Sequence, residues 1–98
     1  MYGTIFRMKP KAGQKQAIFD EMDRWGKERA PKVKGFVASY VLEAANGDVI
    51  GAAVFEDEET YRANANDPAQ DTWYQSLRGN LEADPEWNDG TIQGWIAS

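Results

Sequence analysis

The sequence predicts an α+β domain built in the order β-α-β-β-α-β, and three observations carry that prediction. Hydrophobic periodicity switches between two and about 3.6 residues along the chain. An Asn46-Gly47 pair separates two runs rich in β-branched and aromatic residues. The strands it joins are apolar on both faces, which a half-solvated sheet does not explain.

Tyr2, Thr4, Phe6 and Met8 alternate with Gly3, Ile5 and Arg7 ahead of Pro10 and Gly13, which predicts a first strand. From Gln14 to Arg29 the period lengthens. Ile18, Met22 and Trp25 fall at i, i+4 and i+7, flanked by Phe19 and Gly26, which predicts a helix stopped by Pro31. On its wet side, Asp20 with Arg24 and Asp23 with Lys27 are expected as i,i+4 ion pairs. Gly35 opens a second strand, Phe36 to Ala45, and a third runs from Asp48 to Glu56. Between them Asn46-Gly47 predicts a type I′ turn, with positive φ at both central residues. Asp57 is the expected N-cap of a short helix through Asn64. Asp67-Pro68 starts another, since the carboxylate accepts from first-turn N–H groups and proline fits the first helical position. Ala69, Trp73, Leu77 and Leu81 share one face of this helix, and Asp84-Pro85 stops it. Trp87 and Asp89-Gly90 read as a loop, after which Ile92, Gly94 and Ile96 alternate against Gln93 and Trp95 in a last strand, Thr91 to Ile96.

This is the split βαβ, ferredoxin-like order. With right-handed crossovers it puts both helices on one face of a four-stranded antiparallel sheet. Phe36, Ala38, Tyr40 and Leu42 are expected on one face of the second strand, with Val37, Ser39 and Val41 on the other. Val49, Gly51, Ala53 and Phe55 oppose Ile50, Ala52 and Val54. Helices can cover only one of these apolar faces. A second copy laid sheet against sheet would cover the other, so a homodimer through the sheet faces is expected.

The 98 residues, 1–98, make one domain. A chain this short buries only roughly 60 to 70% of its unfolded surface, which again favours help from a partner. A net charge of −5 argues against nucleic acid, whose phosphates require clustered Lys and Arg. The acidic run Glu56, Asp57, Glu58 and Glu59 fits a solvated helix start better than a metal site. Cys and His are both absent, so disulfides, thiolate nucleophiles, zinc ribbons and iron–sulfur clusters are excluded, and no metal site is expected. No apolar run is long enough to span a bilayer and no leader precedes the first strand, so a cytoplasmic protein without membrane association is the expectation.

The stretches GFVASYVLE, VFEDEETYRANANDP and the following WY resemble the antibiotic-biosynthesis-monooxygenase domains of the dimeric α/β barrel group, in order and spacing over nearly the whole chain. The resemblance implies two sheets packed face to face in a dimer, with a pocket between each sheet and its helices. Members of the group include cofactor-independent oxygenases of polycyclic phenols, haem-degrading enzymes, isomerases and proteins without assigned activity. The haem-degrading branch uses a first-strand Asn, a Trp on the short helix and a His ligand. Here Ile5, Phe6 and Arg7 occupy the first-strand neighbourhood, Asn64 stands in place of the Trp, and Trp73 lies near the ligand position. Without His, imidazole-ligated haem is excluded. The cofactor-independent oxygenases, which surround an aromatic substrate with Asn, Trp and Tyr or Arg, are the better match, with Asn64, Trp73 and Tyr74 agreeing in type and approximate place.

Such chemistry requires donors aimed at a developing oxyanion inside a dry aromatic pocket. Asn64, Tyr74 and Arg7 are the candidate catalytic residues. Asn64 can donate its amide, or simply end a helix, where Asn tolerates left-handed geometry. Arg7 sits mid-strand, and either binds a phenolate or carboxylate or forms an intersubunit ion pair. Trp73, Tyr40, Tyr61, Trp25 and Phe55 are the candidate substrate-binding residues, each with packing as its alternative role. Trp87 and Trp95 are expected in dimer or tail contacts. The expected partners are a small apolar or aromatic ligand and a second copy of the chain, with no cofactor. The expected function is cofactor-independent oxygenation of a quinol- or phenol-like compound. The alternatives are a non-catalytic ligand-binding or stress-response module, or an isomerase or decarboxylase whose acid–base group would have to be Tyr, Asp or Glu.

Overall fold

The computed structural model describes residues 1–96. Its elements are β1 (Tyr2–Met8), α1 (Lys15–Glu28), a 3₁₀ turn (Ala30–Lys32), β2 (Phe36–Glu43), β3 (Val49–Phe55), α2 (Glu58–Ala65), α3 (Pro68–Arg78) and β4 (Glu86–Thr91). The strands form one antiparallel sheet in the order β2-β3-β1-β4, the ferredoxin-like arrangement. Phe6, Met8 and Val49 from the sheet, Ile18 from α1, and Trp73 and Leu77 from α3 meet in one buried cluster that Leu81 completes. Both long helices therefore cover the same face.

The helix boundaries follow local chemistry. Asp57 accepts the Thr60 N–H at 2.8 Å and Asp67 accepts the Ala69 N–H at 2.8 Å, so each side chain satisfies a donor that the first turn leaves free. On α1, Lys27 pairs with Asp23 at 2.7 Å as expected. Asp20 does not pair with Arg24. It accepts from Gln16, while Arg24 bridges Glu21 at 2.6 Å and Glu28 at 3.3 Å, the two acids one turn to either side.

Four further expectations need correction. The last strand lies upstream of the predicted Thr91 to Ile96, sharing only Thr91 with it. Glu86–Thr91 looks like a loop because it is polar and carries Asp89-Gly90. Pairing with β1 from Tyr2↔Thr91 to Arg7↔Glu86 satisfies its backbone, and an edge strand tolerates polar side chains. Beyond it, the Ile92 N–H bonds the Met1 carbonyl at 2.9 Å, and residues 92–96 form no helix or strand.

Leu81 falls outside α3, which ends at Arg78. It enters the core through a bridge to Pro10 and is fully buried. At the hairpin only Gly47 has positive φ, at +92°, and Asn46 does not. The Gly47 N–H bonds the Ala44 carbonyl and the Ala44 N–H bonds the Asp48 carbonyl, giving a three-residue loop rather than a type I′ turn.

Finally, β2 is bulged between Phe36 and Ala38. Phe36 opposes Phe55 on the helix-covered face, but Ala38 opposes Val54, so the alternation inverts. Ser39 and Val41 follow Phe36 onto the covered face. Ala38, Tyr40 and Leu42 turn to the open one.

Candidate functional site

Between the sheet and its helices the protein leaves a cavity of about 1310 Å³. Its walls are mainly aromatic, because β1, β3 and β4 all turn rings to the covered face. Trp25 meets Phe36 edge-on at 4.9 Å, Phe36 meets Phe55 at 5.7 Å, and Phe55 meets Tyr61 at 5.5 Å. On the other flank, Trp87 stands 5.2 Å from Phe6 and 6.5 Å from Tyr74. Trp25 and Trp73 lie 6.2 Å apart where α1 and α3 converge. Their indole N–H groups are already used, on Gln70 at 2.7 Å and on the Glu21 carbonyl at 3.0 Å. What these two residues offer the cavity is apolar ring surface.

Polar groups are set among these rings. Asn64 lies in the last turn of α2 and lines the cavity. The mostly buried Arg29 guanidinium donates to Asn64 Oδ1 at 2.8 Å and also approaches Asp67 at 3.7 Å. That contact fixes the amide: its oxygen faces Arg29, and its NH₂, which has no partner among the described residues, is available to a ligand oxygen. One turn earlier on α2, the Tyr61 hydroxyl donates to Asp89 on β4 at 2.9 Å. Burial, reinforced by the Asp89 carboxylate, pushes the Tyr61 phenol up to about 12. Burial, with Asp84 nearby, also raises Tyr74. Both phenols therefore stay protonated donors at neutral pH. The Thr4 hydroxyl, on β1 beneath α2, is buried close to the Tyr61 hydroxyl and makes no well-formed hydrogen bond among the described residues.

The structure thus brings together Asn64, Tyr74, Trp73, Tyr61, Trp25 and Phe55 around one cavity. Tyr40 touches its rim, but the β2 bulge turns its side chain to the open sheet face, where it is 62% exposed. Arg7 is outside the site. Opposite Ile50 and Glu86 on the open face, it pairs with Asp48 of its own chain at 3.1 Å. Trp87, expected in dimer or tail contacts, is a cavity wall. Thr4, Arg29, Phe36 and Asp89 were not singled out from sequence. Only Thr4 and Phe36 had a signal there, through their place in strand alternation.

Among the described residues no three His, Cys, Asp or Glu converge as metal ligands, and no helix is long and apolar enough to cross a membrane. An α+β sandwich of one sheet and one helical layer, with an aromatic cavity between them, defines the class. No protein-family model matches the sequence, and no curated protein does.

Solved structures identify the fold as that of the antibiotic-biosynthesis-monooxygenase domains. The monooxygenase ActVA-Orf6 of Streptomyces coelicolor, bound to nanaomycin D, superposes with a TM-score of 0.84 at 20% identity, over 99% of this chain and 91% of its own. An asparagine-to-alanine variant of SnoaB, a cofactor-independent oxygenase of Streptomyces nogalater, gives 0.83 at 16% identity over 99% and 97%. A candidate antibiotic biosynthesis monooxygenase of Nitrosomonas europaea gives 0.79 at 14% over 96% and 100%.

Proposed function

We propose that this protein is a cofactor-independent monooxygenase of a hydrophobic aromatic, quinol- or phenol-like compound. The observation that carries this reading is the Asn64 amide, turned by Arg29 so that its NH₂ faces a cavity walled mainly by aromatic rings. An aromatic substrate would stack among Trp25, Phe55, Trp73 and Trp87, and its ring oxygen would accept from Asn64 and from the protonated Tyr74. Donors fixed in a dry site stabilise the oxyanion of an ionised substrate more than water would, because they need no reorganisation as charge develops. The substrate's proton leaves to solvent, the electron-rich anion passes one electron to dioxygen, and recombination followed by return of a proton gives a ring-carbon hydroperoxide. Loss of water leaves a carbonyl, so a ring CH₂ and O₂ become C=O and H₂O. The fold's occurrence in ActVA-Orf6 and SnoaB, both oxygenases, supports the reading.

The test is oxygen uptake by metal-stripped protein against a panel of hydroquinones, anthrones and naphthols. Protein-dependent uptake with product formation is expected, falling roughly a hundredfold in Asn64→Ala, in line with loss of one oxyanion donor. Undiminished uptake in an Asn64→Ala and Tyr74→Phe double variant would remove both residues from the mechanism. Silence across the panel would leave a ligand-binding module in place of an enzyme.

We also propose that the protein works as a homodimer through its open sheet face. There Ile5, Tyr40 and Leu42 are 57%, 62% and 46% exposed.

A further inference from the structure

A carboxylate stands at the open end of the cavity, and the mechanism above does not use it. Asp89 lies on β4, opposite Thr4 of β1 in register, and both side chains line the cavity beneath α2. One Asp89 oxygen, Oδ1, accepts from the Tyr61 hydroxyl at 2.9 Å, which anchors the carboxylate toward the interior although the residue itself is exposed. Among the described residues its second oxygen has no hydrogen bond or ion pair. Beside it, Thr4 is 6% exposed and its hydroxyl, close to that of Tyr61, makes no well-formed hydrogen bond among the described residues, at a depth where an unmade hydrogen bond costs stability. The structure therefore holds an anchored acceptor and an unsatisfied hydroxyl side by side at the edge of an aromatic cavity.

We propose that Asp89 and Thr4 form a subsite that recognises a hydroxyl group on the aromatic ligand. The ligand O–H donates to the free Asp89 oxygen, and Thr4 supplies the second contact to the same oxygen atom. Tyr61 acts as a positioning residue by holding the carboxylate. Tyr61, which holds the subsite, and Asn64 are three residues apart on α2, a rise of about 4.5 Å along the helix axis, so both reach the cavity from one element. A ligand that satisfies both carries a donor oxygen for Asp89 and an acceptor oxygen for Asn64. A carboxylate accepts only, so the subsite discriminates a free hydroxyl from its ether. This inference rests on the reading of the cavity as an aromatic-ligand site.

Calorimetric titration with 2-naphthol, 2-methoxynaphthalene and naphthalene tests it. The intact protein should bind 2-naphthol about tenfold more tightly than its methyl ether, the scale of one hydrogen bond to a charged acceptor. In Asp89→Asn, whose amide can donate to either oxygen, that ratio should fall to about one while naphthalene affinity is unchanged. Thr4→Val should weaken 2-naphthol selectively. A naphthol preference that persists in Asp89→Asn overturns the subsite and leaves the aromatic cavity standing, as does equal binding of all three probes to the intact protein. Binding of none of them overturns the aromatic-site reading, and the subsite falls with it.

Discussion

At the scale of single residues, Tyr61 couples ionisation most directly to the fold. Burial and then the Asp89 carboxylate raise its phenol from 10.0 to about 12, so the folded protein keeps a proton that the unfolded chain releases sooner. The stability this contributes is complete below pH 10 and is lost as pH rises from about 10 to about 12. A tyrosine absorbance titration should show a late step that Tyr61→Phe removes, and the alkaline fall in Tm should be shallower in that variant. Identical alkaline profiles would contradict the coupling. Gly51 makes a packing prediction. An added Cβ would run into the Phe6 ring across the β1–β3 pair, so Gly51→Ala should cost about 1–3 kcal/mol in urea unfolding. A cost near zero would mean that Phe6 moves freely. Helical periodicity made Trp25 and Trp73 legible in the sequence, and Tyr74 came from the family resemblance. Asp89 was not, because its meaning comes from its pairing with Thr4, a contact between opposite ends of the chain that no local pattern records.

At the scale of elements, legibility follows the same division. Helices α1, α2 and α3 announce themselves through caps, a proline and a stripe, all local signals. The β2–β3 hairpin does so through Asn46-Gly47, even though the loop that forms is not the one this dipeptide usually marks. The strand β4 has no such signal, since an edge strand is defined by the neighbour it pairs with. The β2 bulge is equally invisible, yet it moves Tyr40 to the opposite face and so removes it from the cavity interior. A testable case is the start of α2. The Thr60 backbone N–H, donating to Asp57, holds that carboxyl below its ordinary value. The ionised cap therefore stabilises the fold above the usual carboxylate range, and its contribution is lost as pH falls through the lowered value. Asp57→Ala should lower Tm by several degrees at neutral pH, and less in acid. Asp57→Asn, which keeps an uncharged cap, should retain most of the neutral Tm with a flatter acid limb. A pH-independent loss in Asp57→Ala would show that the carboxylate's charge contributes nothing.

For the whole molecule, the two sheet faces set the argument. One is sealed by α1 and α3 over the buried cluster of Phe6, Met8 and Val49. The other carries Ile5 on a central strand and Tyr40 and Leu42 on an edge strand, all exposed, with the Arg7–Asp48 ion pair on the same face. Exposed apolar side chains scattered singly are ordinary. A face of them on one sheet, with a charged pair beside it, has the make-up of an interface core and rim. A second copy would satisfy this face by symmetry, since the same patch would serve both partners. Light scattering at micromolar concentration should give twice the mass of the chain. Ile5→Lys combined with Leu42→Lys should give the single-chain mass with an unchanged far-ultraviolet spectrum, because both side chains are already exposed in the isolated fold. A monodisperse monomer from the unmodified protein would contradict the argument. The cavity lies on the opposite side of the sheet from this face. The dissociated variant should therefore keep its affinity for aromatic probes, and loss of binding together with dimerisation would mean that the partner helps to shape the site.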